Sequence, residues 1–72
     1  MATGEHTKIL KRGVDAWNRW RVENPSIKPD IDGADLRGAH LSGAFFYDAN
    51  LRVVKMTGAD LSKALLDDAS LT

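Results

Sequence analysis

Seventy-two residues suffice for one small domain with a thin core, because a chain of this size buries only about 60% of the surface it exposes when unfolded. A composition of 43% hydrophobic and 28% charged residues excludes a disordered or fibrous chain, and the lack of cysteine excludes disulfide staples and thiolate metal sites. Net charge is zero; residues 1–28 carry six basic against three acidic side chains and residues 29–72 four against seven, a +3/−3 split far from the basic footprint of a phosphate binder.

The first element in chain order is an amphipathic helix over residues 5–23. No proline interrupts this stretch, and Leu10, Val14 and Trp17 follow i, i+4, i+7 spacing, with Ile9, Gly13, Ala16 and Trp20 along the adjacent edge. Thr3 suits an N-cap, Glu5 the positive end of the helix dipole, and Arg19 and Arg21 the negative end. Asn24-Pro25 stops the helix, and the two prolines of residues 24–29 make a stiff extended link.

From residue 29 the chain repeats every five residues. The first slot is Ala in seven of nine blocks, and the third is always large and apolar: Ile31, Leu36, Leu41, Phe46, Leu51, Met56, Leu61, Leu66 and Leu71. A period of five fits neither ordinary element. On a helix each third-slot residue would rotate by roughly 140° from the last, and on a strand successive ones would fall on opposite faces. The period requires a backbone that turns once per block and keeps slots one and three inside. Gly33, Gly38, Gly43 and Gly58 end four blocks and supply positive φ for those turns. Val54, which interrupts the run of first-slot Ala that begins at Ala34, predicts a local bulge or shifted wall.

The repeated Ala-(Asp/Asn)-Leu-X-X motif, as in Ala34-Asp35-Leu36, Ala49-Asn50-Leu51 and Ala59-Asp60-Leu61, resembles that of the pentapeptide-repeat proteins. The resemblance covers residues 29–72 and implies a mainly β fold, a right-handed quadrilateral β-helix of about two coils with four blocks to the turn. With about 20 residues per coil, residue n lies over n+20. Residues 13–21, Gly13-Val14-Asp15-Ala16-Trp17-Asn18-Arg19-Trp20-Arg21, look like the leader ahead of many bacterial pentapeptide arrays, some of them fused to signalling or effector modules. That similarity implies a place in a larger multidomain protein as one reading of the chain.

Two regions are therefore expected: residues 1–28, a capping helix and its link, and residues 29–72, the solenoid. The first coil would otherwise leave an apolar cross-section and an unpaired backbone edge in water. Leu10, Val14, Trp17 and Trp20 are the residues expected to cover it, and at about 25 cal/mol per Å2 a buried Trp contributes several kcal/mol in gross terms. The other end has no such cap. Met56, Leu61, Leu66 and Leu71 line its cross-section and form the expected interface, with a second copy stacked about a two-fold axis, a continuation of the array or another protein as its cover. Phe45 and Tyr47 flank inward-pointing Phe46 and are expected to point out of the wall, where either the N-terminal helix or a neighbouring molecule covers Phe45 or the two form an exposed aromatic spot beside Leu65.

No constellation suggests catalysis. The carboxylates recur with the repeat as a solvated face would, His6 and His40 lie in different elements without a second ligand at metal spacing, and the serines occupy wall positions without an activating base. No enzyme activity, cofactor or metal is expected. The longest apolar run, Ala44-Phe45-Phe46-Tyr47, is too short for a membrane span or signal-peptide core, so a cytoplasmic location without membrane contact is expected. The function that follows is a non-catalytic protein–protein interaction or assembly scaffold, as a homodimer or docked to another protein. The alternative implied by the family is DNA mimicry directed at a type II topoisomerase, which a solenoid of charge about −3 serves poorly; nucleic acid is not an expected partner.

Overall fold

The computed structural model describes residues 4–71; the N-cap expected at Thr3 and the final Thr72 lie outside the described residues. Two helices, α1 (Gly4–Lys11) and α2 (Val14–Glu23), precede the repeats. The single helix expected over residues 5–23 is thus divided. Gly13 adopts φ +119, a value that residues with a Cβ rarely reach, and the N–H groups of Arg12 and Gly13 close α1 by donating to the carbonyls of Ile9 and Leu10 at 3.1 and 3.0 Å. An added Cβ at Gly13 would meet no atom within 4 Å, so backbone conformation rather than space selects glycine there. Asn24 ends α2, donating both its backbone N–H and its Nδ2 to the carbonyl of Trp20 at 3.0 Å.

The expected mainly β class, a quadrilateral β-helix, is not what forms. Among the described residues there is no β-strand, and the regular secondary structure is helical. The repeats are a succession of turns joined by five isolated parallel bridges: Asp30 to Asn50, Asp35 to Lys55, His40 to Asp60, Phe45 to Leu65 and Asn50 to Ser70. The physical reason lies in the period itself. Each side of the coil contributes one bridging residue before the next turn begins, so no ladder of consecutive bridges builds up. The offset of twenty residues in every bridge nonetheless stacks each block on the one four blocks later.

Each corner is closed by a backbone bond from the first-slot N–H to the third-slot carbonyl of the block before, such as Ala39 to Leu36 at 3.1 Å and Ala59 to Met56 at 2.9 Å. The residue before the first slot takes positive φ at all eight corners, 71–77° at Gly33, Gly38, Gly43 and Gly58 and 58–61° at Asp48, Val53, Lys63 and Asp68. Asp at the second slot stabilises these corners: Asp30, Asp35 and Asp60 each accept the N–H two residues on through Oδ1 at 3.0–3.2 Å, and Asn50 does the same for Arg52 at 3.1 Å. Where Val54 replaces Ala the corner bond to Leu51 stretches to 3.4 Å, against 2.9–3.1 Å at the other corners.

The core runs along the coil axis. Ile31, Leu36, Leu41, Phe46 and Leu51 are buried together with Ala34, Ala44 and Ala49, and Leu10 and Trp17 join them from the helices.

Candidate functional site

The two ends of the coil differ because its backbone edge has a direction. Between coils, N–H groups of the third and fifth slots in the first coil donate to second-coil carbonyls, as in Leu41 to Asp60 at 2.8 Å and Gly43 to Ser62 at 2.9 Å. Second-slot N–H groups donate the other way, as in Asp60 to Ala39 at 2.9 Å. By the same register each wall of the first coil turns one donor, the second-slot N–H, and the second- and fourth-slot carbonyls toward the helices, and at Gly43 the fifth-slot carbonyl is reached from the helices as well. Each wall of the second coil turns two donors and one acceptor away from them.

Helix side chains satisfy part of the first of these edges, at Asp30 and along Gly43–Tyr47. Asn18 acts as a substitute strand edge, its Oδ1 accepting the Phe45 N–H at 2.8 Å while its Nδ2 donates to the Gly43 carbonyl at 3.0 Å. Trp17 Nε1 and Arg21 Nε both donate to the Phe45 carbonyl, at 3.0 and 3.1 Å, and Arg21 Nη2 donates to the Tyr47 carbonyl. Arg21 Nη1 donates to the Ile27 carbonyl at 3.0 Å, tying the link to the same cluster. His6 Nδ1 of α1 accepts the Asp30 N–H at 3.0 Å. Arg21 is only 3% exposed, and burial pushes its guanidinium below the ordinary value, opposed by electrostatic attraction toward Tyr47 and Asp48. Its charge is nevertheless retained by three backbone acceptors and by the Tyr47 ring, whose centroid lies 4.0 Å from the guanidinium carbon.

The residues expected to form the cap take different places. Trp17 is fully buried and packs against Phe46 at 5.7 Å between ring centroids, and Leu10 is buried. Val14 and Trp20 are half-buried, the Trp20 ring lying 5.2 Å from Trp17 and 4.8 Å from His6. Asn18, Arg21 and His6 carry polar tasks that sequence reasoning did not assign. A signal existed in α2, because Asn18 and Arg21 continue the stripe of Val14 and Trp17 at i+4 and i+7, where an amphipathic helix should be apolar.

At the opposite end Met56, Leu61 and Leu66 are half-buried, in the same slots where Leu36, Leu41 and Phe46 are buried, and Leu71 is 54% exposed. The N–H groups of Met56, Leu61 and Leu66 have no partner among the described residues. Phe45 and Tyr47 are half-buried rather than exposed; their rings meet edge to face at 6.0 Å, and of the expected spot only Leu65, bridged to Phe45, is exposed.

On the outer walls the charges pair locally. Asp35 bonds to Arg37 at 2.7 and 2.9 Å, and these bonds hold its carboxyl down at about 2. Asp60 accepts the Ser62 hydroxyl at 2.7 Å, which also lowers its pKa.

The turn every five residues, the stack every twenty and the Asp or Asn that braces four of the corners agree with the comparison to protein families, in which the pentapeptide-repeat model matches residues 30–68 in eight copies. The chain belongs to the pentapeptide-repeat family. Neither the curated proteins nor the solved structures contain a significant match. No helix among the described residues is long and apolar enough to cross a membrane.

Proposed function

We propose that this pentapeptide-repeat chain is a non-catalytic protein–protein interaction module that docks through the coil farther from its helices. The observation that supports this reading is the change in burial along the third-slot stack. Residues of one chemical type pass from buried at Leu36 and Leu41 to half-buried at Leu61 and Leu66 and more than half exposed at Leu71. An apolar cross-section bordered by unpaired N–H groups gains on meeting another polypeptide, through both area removed from water and bonds completed.

A second copy stacked end to end about a two-fold axis is the occupant proposed. Contact between the apolar cross-sections would hold such a pair, since each wall of this edge offers two donors for one acceptor and two identical edges cannot satisfy one another fully. Light scattering on the chain and on Leu71→Asp tests it. The chain is expected to run as a dimer at high micromolar concentration and the variant as a monomer; a monomer in both cases contradicts the proposed pairing.

A further inference from the structure

We infer that the groove between α1 and α2 is a second docking site, fitted to an acidic polypeptide segment that presents an apolar anchor between carboxylates. The groove encloses about 260 Å3 and is lined by Ile9, Arg12, Ala16, Arg19, Trp20 and Glu23, with no contribution from the repeats. It is separate from the coil end treated above and does not depend on the reading given to that end.

Three features select this occupant. The first is a firm backing. Trp17, Asn18 and Arg21 fasten α2 to the Gly43–Tyr47 stretch of the coil, and His6 and Leu10 fasten α1, so the groove is formed before anything binds and little ordering remains to oppose association. The second is the floor. Ile9, Ala16 and half-buried Trp20 offer an apolar surface with room for a leucine or phenylalanine side chain.

The third is charge. Arg12, just beyond α1, and Arg19 of α2 are both exposed, and neither forms an ion pair among the described residues, although Glu23 lies one turn from Arg19. The other two arginines with described side-chain contacts are engaged, Arg21 by backbone carbonyls and Arg37 by Asp35. Two planar guanidinium forks contributed from the two sides of an apolar floor suit discrete carboxylates, which each can take in a bidentate pair. A continuous polyphosphate fits less well, because Glu23 lines the groove and Glu5 and Asp15 stand on the same helices. An amphipathic segment laid in a groove, with leucine anchors and flanking glutamates, meets each of these requirements.

The probe is a synthetic amidated peptide of about twelve residues with leucines four apart and glutamates beside them, the helix-in-groove pattern. Trp17 is fully buried, so a change in tryptophan emission on titration reports on Trp20. Saturable binding that weakens with salt is expected, at least tenfold weaker for Arg12→Glu/Arg19→Glu and lost when lysines replace the peptide's glutamates. Circular dichroism of the variant is expected to match the parent, since both arginines are exposed. Absence of saturable binding, equal binding of the lysine peptide, or indifference to the double substitution overturns the inference. So does tighter Arg12- and Arg19-dependent binding to a short DNA duplex or to anionic vesicles, which would assign the groove to phosphate. Salt-sensitive self-association of the chain alone, removed by the double substitution, overturns it in favour of a second copy.

Discussion

The two coils are built from the same five-residue block and differ in what lies against them. The coil beside the helices has its apolar axis covered by Trp17 and Leu10, and its edge along the Gly43–Tyr47 stretch is bonded by Asn18, Trp17 and Arg21. In the other coil the equivalent third-slot residues Met56, Leu61 and Leu66 retain partial exposure, and only Leu51 is buried. A short repeat array is therefore not uniformly stable, and its stability at each block is set by its neighbours more than by its own residues.

Paired truncations at stacked positions offer the largest break in this comparison. Leu41 lies one coil before Leu61 on the same line of the core, and Leu41→Ala is expected to cost about 2–5 kcal/mol, with Leu61→Ala costing less than half of that. Urea denaturation checks it, and equal losses would mean that the far coil is as well covered as the near one. Next in size is Arg21→Met, which keeps most of the apolar volume but takes the side-chain donor from the carbonyls of Tyr47 and Ile27 and leaves that of Phe45 to Trp17 alone; a loss of about 2–3 kcal/mol is expected from the same measurement. If the stability is unchanged, apolar cover alone makes the cap.

A gain rather than a loss is expected at Val53. This β-branched residue is held at φ 58° and is 73% exposed, so Val53→Gly removes backbone strain while giving up little packing, and should stabilise by about 1 kcal/mol. The smallest effect concerns pH. Asp35 titrates at about 2 because of its bonds to Arg37, so its contribution is present above the unfolded value of about 3.9 and is lost as pH falls through the folded value. Arg37→Ala should return the carboxyl toward its ordinary range, as followed by NMR titration, with little change in stability at neutral pH because the pair is exposed.

Much of the repeat was legible in the sequence because one residue type recurs for one geometric reason. The five-residue period placed Ile31 through Leu71 on a common axis, and the glycines marked four of the corners. Asp48, Val53, Lys63 and Asp68 adopt the same positive φ without a glycine to announce it, because the stack imposes the turn whatever residue occupies it. The β class failed for a related reason: a period of five leaves too little chain between corners for strands. The break at Gly13 was hidden by an apolar stripe that continues across it, and the polar anchors Asn18 and Arg21 were hidden because a charged or amide side chain on a helix is ordinarily read as facing water. What they face is a backbone edge, visible only once the coil is folded beneath them.

The central claim is that the far coil is an incompletely covered surface that another polypeptide completes. Backbone amide exchange tests it at single residues. The N–H groups of Leu36, Leu41 and Phe46, bonded to the next coil, are expected to exchange slowly at every concentration. Those of Met56, Leu61 and Leu66 are expected to exchange fast in dilute solution and to slow as protein concentration rises and a second copy covers them. Slow exchange at these three amides in the dilute monomer, or fast exchange that persists at millimolar concentration, would contradict the account.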